Sequence, residues 1–130
     1  MIDSNLKYFL TQNLRQIVVL ASMSILSAHA GDASKGKDLF KECATCHSTQ
    51  AGENLIGPSL SGIFNRTSGS ALGFRYSAAL RKANIKWVET NLNSFIANPQ
   101  EFLPANRMPY SGMAGASDRQ DLIDYLKTLN

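Results

Sequence analysis

The sequence lacks several of the features that most often identify a function. It contains two cysteines and one tryptophan, and it shows no run of lysines or arginines, no internal repeat and no low-complexity tract. No alternating apolar and polar run near the cysteines indicates a β-strand, which argues against a thioredoxin-like βαβ unit. The net charge is only +3, so neither charge nor clustering predicts a nucleic-acid partner.

The longest apolar run is too short to cross a membrane. It covers residues 17–28, follows one lysine and one arginine, and ends in Ala28-His29-Ala30. A spanning helix needs roughly 20 apolar residues, whereas a charged start, a short apolar run and an A-x-A motif are typical of a secretory signal. We therefore predict that residues 1–30 are a cleaved signal peptide and that residues 31–130 form one exported, soluble domain.

Both cysteines lie in a single segment, Cys43-Ala44-Thr45-Cys46-His47. This C-x-x-C-H pattern is the attachment motif of a c-type haem, whose two vinyl groups become thioethers of the cysteines. Two intervening residues make one turn, which brings both sulfurs to the same edge of the macrocycle. The adjacent imidazole is then held under the iron. The motif predicts one covalently attached haem c, with His47 as an iron ligand.

Two other uses of the cysteines remain to be weighed. A structural zinc site needs about four Cys or His ligands, and only Cys43, Cys46 and His47 remain once the leader is removed. A plain disulfide would suit an exported protein, but it would leave His47 without a role. Haem attachment is the interpretation that uses all three residues.

The remaining pattern predicts short helices and long loops. Asp32 is a suitable N-cap, and Gly36 inside the first helix predicts the close approach of another backbone. Residues 48–76 are rich in glycine and read as loop. Weak and clearer helical patterns then cover 77–83 and 89–97.

The end of the chain carries two further helix signals. Asn98-Pro99 predicts a capped turn with proline at its first position. Ser117 and Gln120 form a capping box before the last helix, and the stripe of that helix consists of Leu122, Tyr125, Leu126 and Leu129. The sequence predicts an all-α fold.

A second iron ligand must come from the loop between the last helices. Met108 and Met113 both lie there, among prolines and glycines that let a loop approach a flat group. The residues alone leave both methionines open as the ligand, because a loop methionine is more often apolar filler.

Several ordered segments resemble those of class I cytochromes c, the short carriers similar to the mitochondrial and photosynthetic-bacterial proteins. The resemblance covers residues 31–130. Its segments are GDASKGKDLF, CATCH, GPSL, GIFNRTSG, the lone Trp87, NPQEFLPANRMPYSG and DLIDYLKTL.

The resemblance implies a fold in which the first and last helices cross, which would account for the central glycine. It implies Met108, rather than Met113, as the sixth iron ligand. The carbonyl of Pro58 is expected to accept the Nδ1 proton of His47 and so to orient the ring. Arg66, Tyr76 and Trp87 match positions that surround the haem propionates in this family.

The chain also departs from the family pattern. Phe95 replaces a frequent tyrosine and Asn106 replaces a frequent threonine, both near the iron-bound sulfur. The asparagine is a candidate to restore the hydrogen-bond donor that the phenylalanine lacks. Around the haem edge, Arg107 is the main remaining charge, so we expect no dense positive docking ring.

Together these features predict a periplasmic one-electron carrier that is monomeric, is not an enzyme and meets its redox partners transiently. We expect no nucleic-acid partner and no membrane insertion after cleavage. Two alternatives stay open: a haem enzyme or small-gas binder with a labile sixth ligand, and an electron-entry subunit of a membrane complex.

Overall fold

The computed structural model describes residues 31–129, so the predicted leader, residues 1–30, lies outside the described part. Within that part the chain forms six helices and no strand beyond one isolated antiparallel bridge, between Thr67 and Lys86. The all-α prediction is confirmed. The helices are α1 (Ala33–Leu39), α2 (Lys41–Ala44), α3 (Ala78–Lys82), α4 (Glu89–Ala97), α5 (Pro99–Phe102) and α6 (Ala116–Lys127).

Helices α1 and α6 cross with their backbones in contact at Gly36. A Cβ on this residue would clash with the carbonyl oxygen of Asp121, and it would lie 2.9 Å from the Cβ of Tyr125. Only glycine allows such an approach, which outweighs its low helix propensity. The predicted close contact of another backbone is confirmed.

The core lies where α6 meets α1 and α4. Leu122 and Ile123 are 1% and 0% exposed, and Leu126, Phe40 and Leu92 are buried beside them. The apolar stripe of α6 therefore faces inward as predicted, and Ile123 widens it by one position. Phe40 and Tyr125 add a ring contact with centroids 5.3 Å apart, which joins the two crossing helices.

Two helices begin at the capping residues that the sequence indicated, Asp32 and Asn98, and a third begins at Ser77, which was not predicted as a cap. Asp32 accepts from the nitrogens of Ser34 and Lys35, and Asn98 accepts from Glu101 at 3.2 Å. Ser77 caps α3 through the nitrogen of Leu80. Each side chain satisfies backbone donors that a helix start leaves unpaired.

The predicted capping box of α6 is wrong. The helix begins two residues earlier, its N-cap is Gly115, and Ser117 lies inside the first turn without a capping bond. The reason is Arg119, whose Nη1 donates to the carbonyls of Met113 and Ala114 at 2.7 Å each. These bonds fix the chain before the helix and let it start upstream.

Loops of the segment 45–77 are held by polar side chains instead of a sheet. The side chain of Asn54 accepts from the nitrogen of Ser59, and the Ser59 hydroxyl donates to the carbonyl of Gln50. A short ladder of backbone hydrogen bonds also joins residues 65–68 to residues 85–87. It involves Asn65, Arg66 and Ser68 in the first segment and Ile85 and Trp87 in the second. Residues 31–129 include no helix that could span a bilayer.

Candidate functional site

A cavity of about 660 Å³ opens between the helices and the loops. Its volume is in the range of small-molecule and cofactor sites, about 300–1,000 Å³. All eight residues predicted for the site line it: Cys43, Cys46, His47, Pro58, Arg66, Tyr76, Trp87 and Met108. They come from six separate stretches of the chain, and only the fold brings them together.

Helix α2 and the turn after it present the C-x-x-C-H residues to the cavity. The nitrogens of Cys46 and His47 both bond to the carbonyl of Cys43, at 3.0 and 2.9 Å. This turn places the two thiols and the imidazole on one wall. Neither cysteine forms a disulfide, and burial raises the pKa of the Cys43 thiol to about 11.

The ring of His47 is oriented by a backbone carbonyl. Nδ1 lies 2.7 Å from the oxygen of Pro58. Because a carbonyl only accepts, Nδ1 must donate its proton, and Nε2 keeps the free lone pair that a metal needs. Burial lowers the pKa of His47 more than the Pro58 hydrogen bond raises it, and the nearby Arg66 charge adds to the lowering, which favours the neutral ring.

Arg66 places a half-buried positive charge at another part of the wall. Its Nη1 and Nη2 donate to the carbonyls of Ser61 and Ser59, each at 2.9 Å. Its Nε is buried and has no partner among residues 31–129. Burial lowers the pKa of Arg66 and raises that of the neighbouring Tyr76. The pair is suited to hold a carboxylate at the edge of an apolar ligand.

The two methionines occupy different places. Met108 lines the cavity, whereas Met113 is not part of its wall and is buried in the core, 8% exposed. The nitrogen of Met113 also bonds to the carbonyl of Ile96, which fastens it to α4. The structure thus separates two residues that the sequence alone left equivalent.

Asn106 does not have the free donor that we expected of it. Its amide nitrogen donates to the carbonyls of Pro99 and Leu103, at 2.7 and 2.8 Å, which uses both of its hydrogens. Its oxygen accepts from the nitrogen of Met108 at 2.9 Å. Asn106 therefore fastens the loop that carries Met108, and it is not available to bond the sulfur.

Much of the cavity wall was predicted as core, not as site. Leu92, Ile96, Leu122 and Leu126 belong to the helical stripes, and each also lines the cavity. Their periodicity gave no sign of this second role, because a ligand-facing stripe and a core-facing stripe look the same. Further wall residues that sequence reasoning missed include three loop residues, Ile56, Leu60 and Phe74.

The rim of the cavity carries charge of both signs. Glu42 lines it and accepts from the hydroxyl of Tyr110 at 3.2 Å. Arg75 and Arg107 line it as well, and with Arg81 they also border an adjoining open cleft of about 400 Å³. The sequence predicted Arg107 as the main charge around the haem edge, and the structure adds Arg75, Arg81 and Glu42 near the rim.

The lining fits a haem. The walls are mostly apolar, and the two thiols and a neutral imidazole line them together with a thioether sulfur. A half-buried guanidinium, whose buried Nε has no partner among residues 31–129, is suited to bind an acid group. An isolated metal ion has no such site, because residues 31–129 contain no group of three or more His, Cys, Asp or Glu side chains placed to hold one. Fold and cavity together define a class I c-type cytochrome.

The chain belongs to the cytochrome c family. The family model described as cytochrome c matches residues 33–130. The chain is 45% identical over 100 residues to cytochrome c of Euglena viridis, an alignment that covers 76% of this chain and 98% of that one. It is 42% identical to cytochrome c of Chlamydomonas reinhardtii over 77% and 91% of the two chains.

A solved structure agrees with these relatives. Cytochrome cH from Methylobacterium extorquens superposes with a TM-score of 0.72 at 33% identity, over 75% of this chain and 99% of that one. As a member of the family, the chain is a haem-containing electron carrier. It binds one haem c covalently, and Cys43 and Cys46 are its only cysteines. The predicted family, fold and cofactor are confirmed.

Proposed function

We propose that this protein is a periplasmic one-electron carrier in which His47 and Met108 bind the haem iron. The observation that supports this most is the meeting of all eight expected residues in one cavity, with Met108 in its wall and Met113 outside it. When bound, the haem supplies a one-electron couple and no acid-base or group-transfer chemistry. The protein then has to hold the haem, orient its ligands and shield it from water.

His47 is prepared to act as a ligand before any metal arrives. Its Nδ1 proton is committed to Pro58, and burial keeps the ring neutral. A neutral ring with one fixed tautomer does not have to lose a proton or turn in order to bind iron.

Met108 supplies the second ligand in our proposal. Its nitrogen is held by Asn106, and its carbonyl accepts from Gln100 Nε2 at 3.0 Å. Both ends of the residue are therefore fixed near the cavity. A thioether ligand raises the reduction potential, and two protein ligands leave no coordination position for oxygen or peroxide.

Arg66, Tyr76 and Trp87 are proposed to surround the propionates. The unpartnered Nε of Arg66 supports this role, because a buried donor without an acceptor costs roughly 1–3 kcal/mol. The backbone ladder brings Arg66 and Trp87 side by side, with the Trp87 nitrogen bonded to the Arg66 carbonyl at 2.9 Å.

Redox partners are proposed to meet the rim of the cavity. Arg75, Arg81 and Arg107 form no ion pair within residues 31–129, so they remain available to acidic groups of a partner. Such complexes are small, under about 1,200 Å², and charge mainly sets their rate of formation. We expect the association rate to fall with salt.

The test of ligation is an optical and redox comparison of Met108→Ala with Met113→Ala. We expect the first variant to keep covalent haem, lose the sulfur-to-iron charge-transfer band, bind added imidazole and show a lower potential. The second should lose stability but keep the band, because it only removes core packing. The reverse result would overturn the assignment.

The same preparation separates the alternatives. High-spin bands in the oxidised wild-type protein would favour a haem enzyme or gas binder. Co-purification with one membrane complex would favour an electron-entry subunit. Recovery of free protein from the periplasmic fraction, with low-spin haem, is the result that we expect.

A further inference from the structure

The residues just before α1 are bonded to α6. The nitrogen of Gly31 donates to Asp124 Oδ2 over 2.7 Å, and the nitrogen of Asp32 donates to Asp121 Oδ1 over 2.8 Å. Asp121 and Asp124 lie one turn apart on α6. Two carboxylates of the last helix therefore receive the two backbone nitrogens that precede the first.

The fit around Gly31 leaves no room for a side chain. A Cβ there would lie 2.7 Å from Asp124 Oδ2 and 2.8 Å from the carbonyl oxygen of Gln120. Both atoms are acceptors, so the surroundings of the Gly31 nitrogen are rich in oxygen. A residue without a Cβ is what allows the nitrogen to come this close.

The two oxygens of the Asp124 carboxylate accept from different donors, and Oδ1 also accepts from Gln120 Nε2 at 3.4 Å. Oδ1 takes the ammonium of Lys127 at 2.7 Å, and Oδ2 takes the Gly31 nitrogen. The side chain is only 18% exposed. Lys127 first, and the Gly31 bond in addition, hold the pKa of Asp124 below its ordinary value, so it is ionised at neutral pH. An anionic, sheltered oxygen thus faces this backbone nitrogen.

We propose that this oxygen is the receptor for the chain's own amino terminus, which signal-peptide cleavage before Gly31 creates. A signal peptidase would break the bond between Ala30 and Gly31 by adding water, leaving a carboxylate on Ala30 and an ammonium on Gly31. The nitrogen that donates once as an amide then carries a positive charge and three hydrogens. It forms an ion pair with Asp124 that the uncleaved chain lacks.

The consequence is that maturation strengthens the crossing of α1 and α6. The other charges near the terminus are already matched, because Lys127 also pairs with Glu89, and Asp121 pairs with Lys35. The new ammonium therefore shares the Asp124 carboxylate with Lys127, but it lies at the other oxygen, and the Lys127 charge is also offset by Glu89. The inference rests on the predicted cleavage site and does not depend on the iron ligands.

A double-perturbation cycle on the mature holoprotein tests the pair. One perturbation keeps Ala30 in front of Gly31, which restores a peptide nitrogen, and the other is Asp124→Asn. We expect the extension to raise the unfolding equilibrium constant about three- to tenfold in the wild-type background, as for a partly sheltered ion pair, and to have little effect with Asp124→Asn. The unfolding equilibrium constant of each of the four proteins is measured by denaturant unfolding followed by circular dichroism.

The matched control is Asp38→Asn. Asp38 lies on α1 and pairs with Lys41 at 2.9 Å, also three residues away, but the Gly31 nitrogen bonds to Asp124 and not to Asp38. The extension should cost as much in this variant as in the wild type. An equal cost in the Asp124→Asn background would refute the ion pair.

Two measurements on the wild-type protein need no variant. The intact mass of the exported protein must place its amino terminus at Gly31, and any other terminus overturns the proposal. Acylation of the α-amine by a limiting reagent should be several-fold slower in the folded protein than in the unfolded one. Equal rates would show that Asp124 does not hold the terminus.

Discussion

The crossing of α1 and α6 and the loop side of the cavity are built on different principles. At the crossing, Gly36 meets Asp121 backbone to backbone, and Leu122 and Ile123 are fully buried. On the loop side, short connections carry the site residues and polar side chains hold them. Apolar packing is therefore responsible for stability in the first region, and hydrogen bonds set the positions of functional groups in the second.

The two regions should respond differently to substitution. A helix crossing fails by overpacking or by cavities, which reduce the free energy of unfolding. A loop held by one side chain fails by moving, which changes the site before it unfolds the protein. The four predictions below separate these two kinds of failure.

The largest effect should come from His47→Ala, which removes the imidazole without touching either helix of the crossing. We expect no covalently attached, low-spin haem to accumulate in the periplasmic fraction, because the attachment motif is broken. Haem absorbance per mole of protein is the measurement. Thr45→Ala, an exposed change in the same motif, should leave it normal. Normal low-spin haem in the His47 variant would contradict the assignment.

The next effect tests the crossing itself through Gly36→Ala. Helix propensity alone would favour alanine by about 1 kcal/mol, but the new Cβ clashes with the carbonyl of Asp121. We expect a net loss of about 3 kcal/mol in the free energy of unfolding, measured with denaturant.

Gly52→Ala is the control for that substitution. Gly52 has a φ of +75° and no atom within 4 Å of an added Cβ, so only backbone strain of about 1 kcal/mol is expected. Equal costs at both positions would mean that the close approach does not matter. The cofactor spectrum should change little in either variant.

On the loop side, Asn106→Ala should cost about 2–3 kcal/mol. The change leaves the carbonyls of Pro99 and Leu103 and the nitrogen of Met108 without their partner. Because the Met108 loop is then freed, we also expect faster displacement of the sulfur by added imidazole.

Asn91→Ala is the matched control for Asn106→Ala. Its amide makes one exposed bond, to the carbonyl of Lys86, so a loss under about 1 kcal/mol is expected. Unfolding and ligand-displacement rates measure both variants. An unchanged displacement rate for Asn106→Ala would show that the loop does not depend on this side chain.

The smallest effect concerns acid. The Asp32 nitrogen, with Lys35, holds the pKa of Asp121 below its ordinary value, and Lys127 does the same to the pKa of Asp124. A lowered carboxyl pKa gives stability that is complete above the unfolded value, roughly pH 4, and is lost as the pH falls through the folded value. We expect Asp121→Asn to be less stable than wild type at pH 7, with a difference that shrinks below pH 4. A difference independent of pH would contradict this.

The crossing was predictable because its signals are local or periodic. Gly36 stood out inside a helical pattern, Asp32 and Asn98 are capping residues, and the stripe of α6 has helical spacing. The capping box failed because the start of α6 is decided by Arg119, whose partners Met113 and Ala114 follow no helix rule. Capping preferences predict where a helix starts only when no other side chain holds the preceding segment in place.

The site was predictable only where a motif or a family position marked it. The spacing of the C-x-x-C-H segment predicts haem attachment, and the resemblance to the family predicted Met108 as a ligand and Pro58 as the partner of His47. The prediction that Asn106 could donate a hydrogen bond to the sulfur was wrong, because the sequence does not show that its amide already bonds to nearby backbone carbonyls. For the same reason, the carbonyls that hold Arg66, and the arginines around the adjoining cleft, became visible only in three dimensions.

The ladder between residues 65–68 and 85–87 has one practical consequence. It closes the intervening segment into a loop, and that loop contains Leu72, which is 90% exposed. The neighbouring glycines, Gly69 and Gly73, already turn the chain there with φ of +70° and +74°. A fluorophore or an affinity tag inserted beside Leu72 would give up one surface contact, from Asn54, and would leave Arg66 and Trp87 in register.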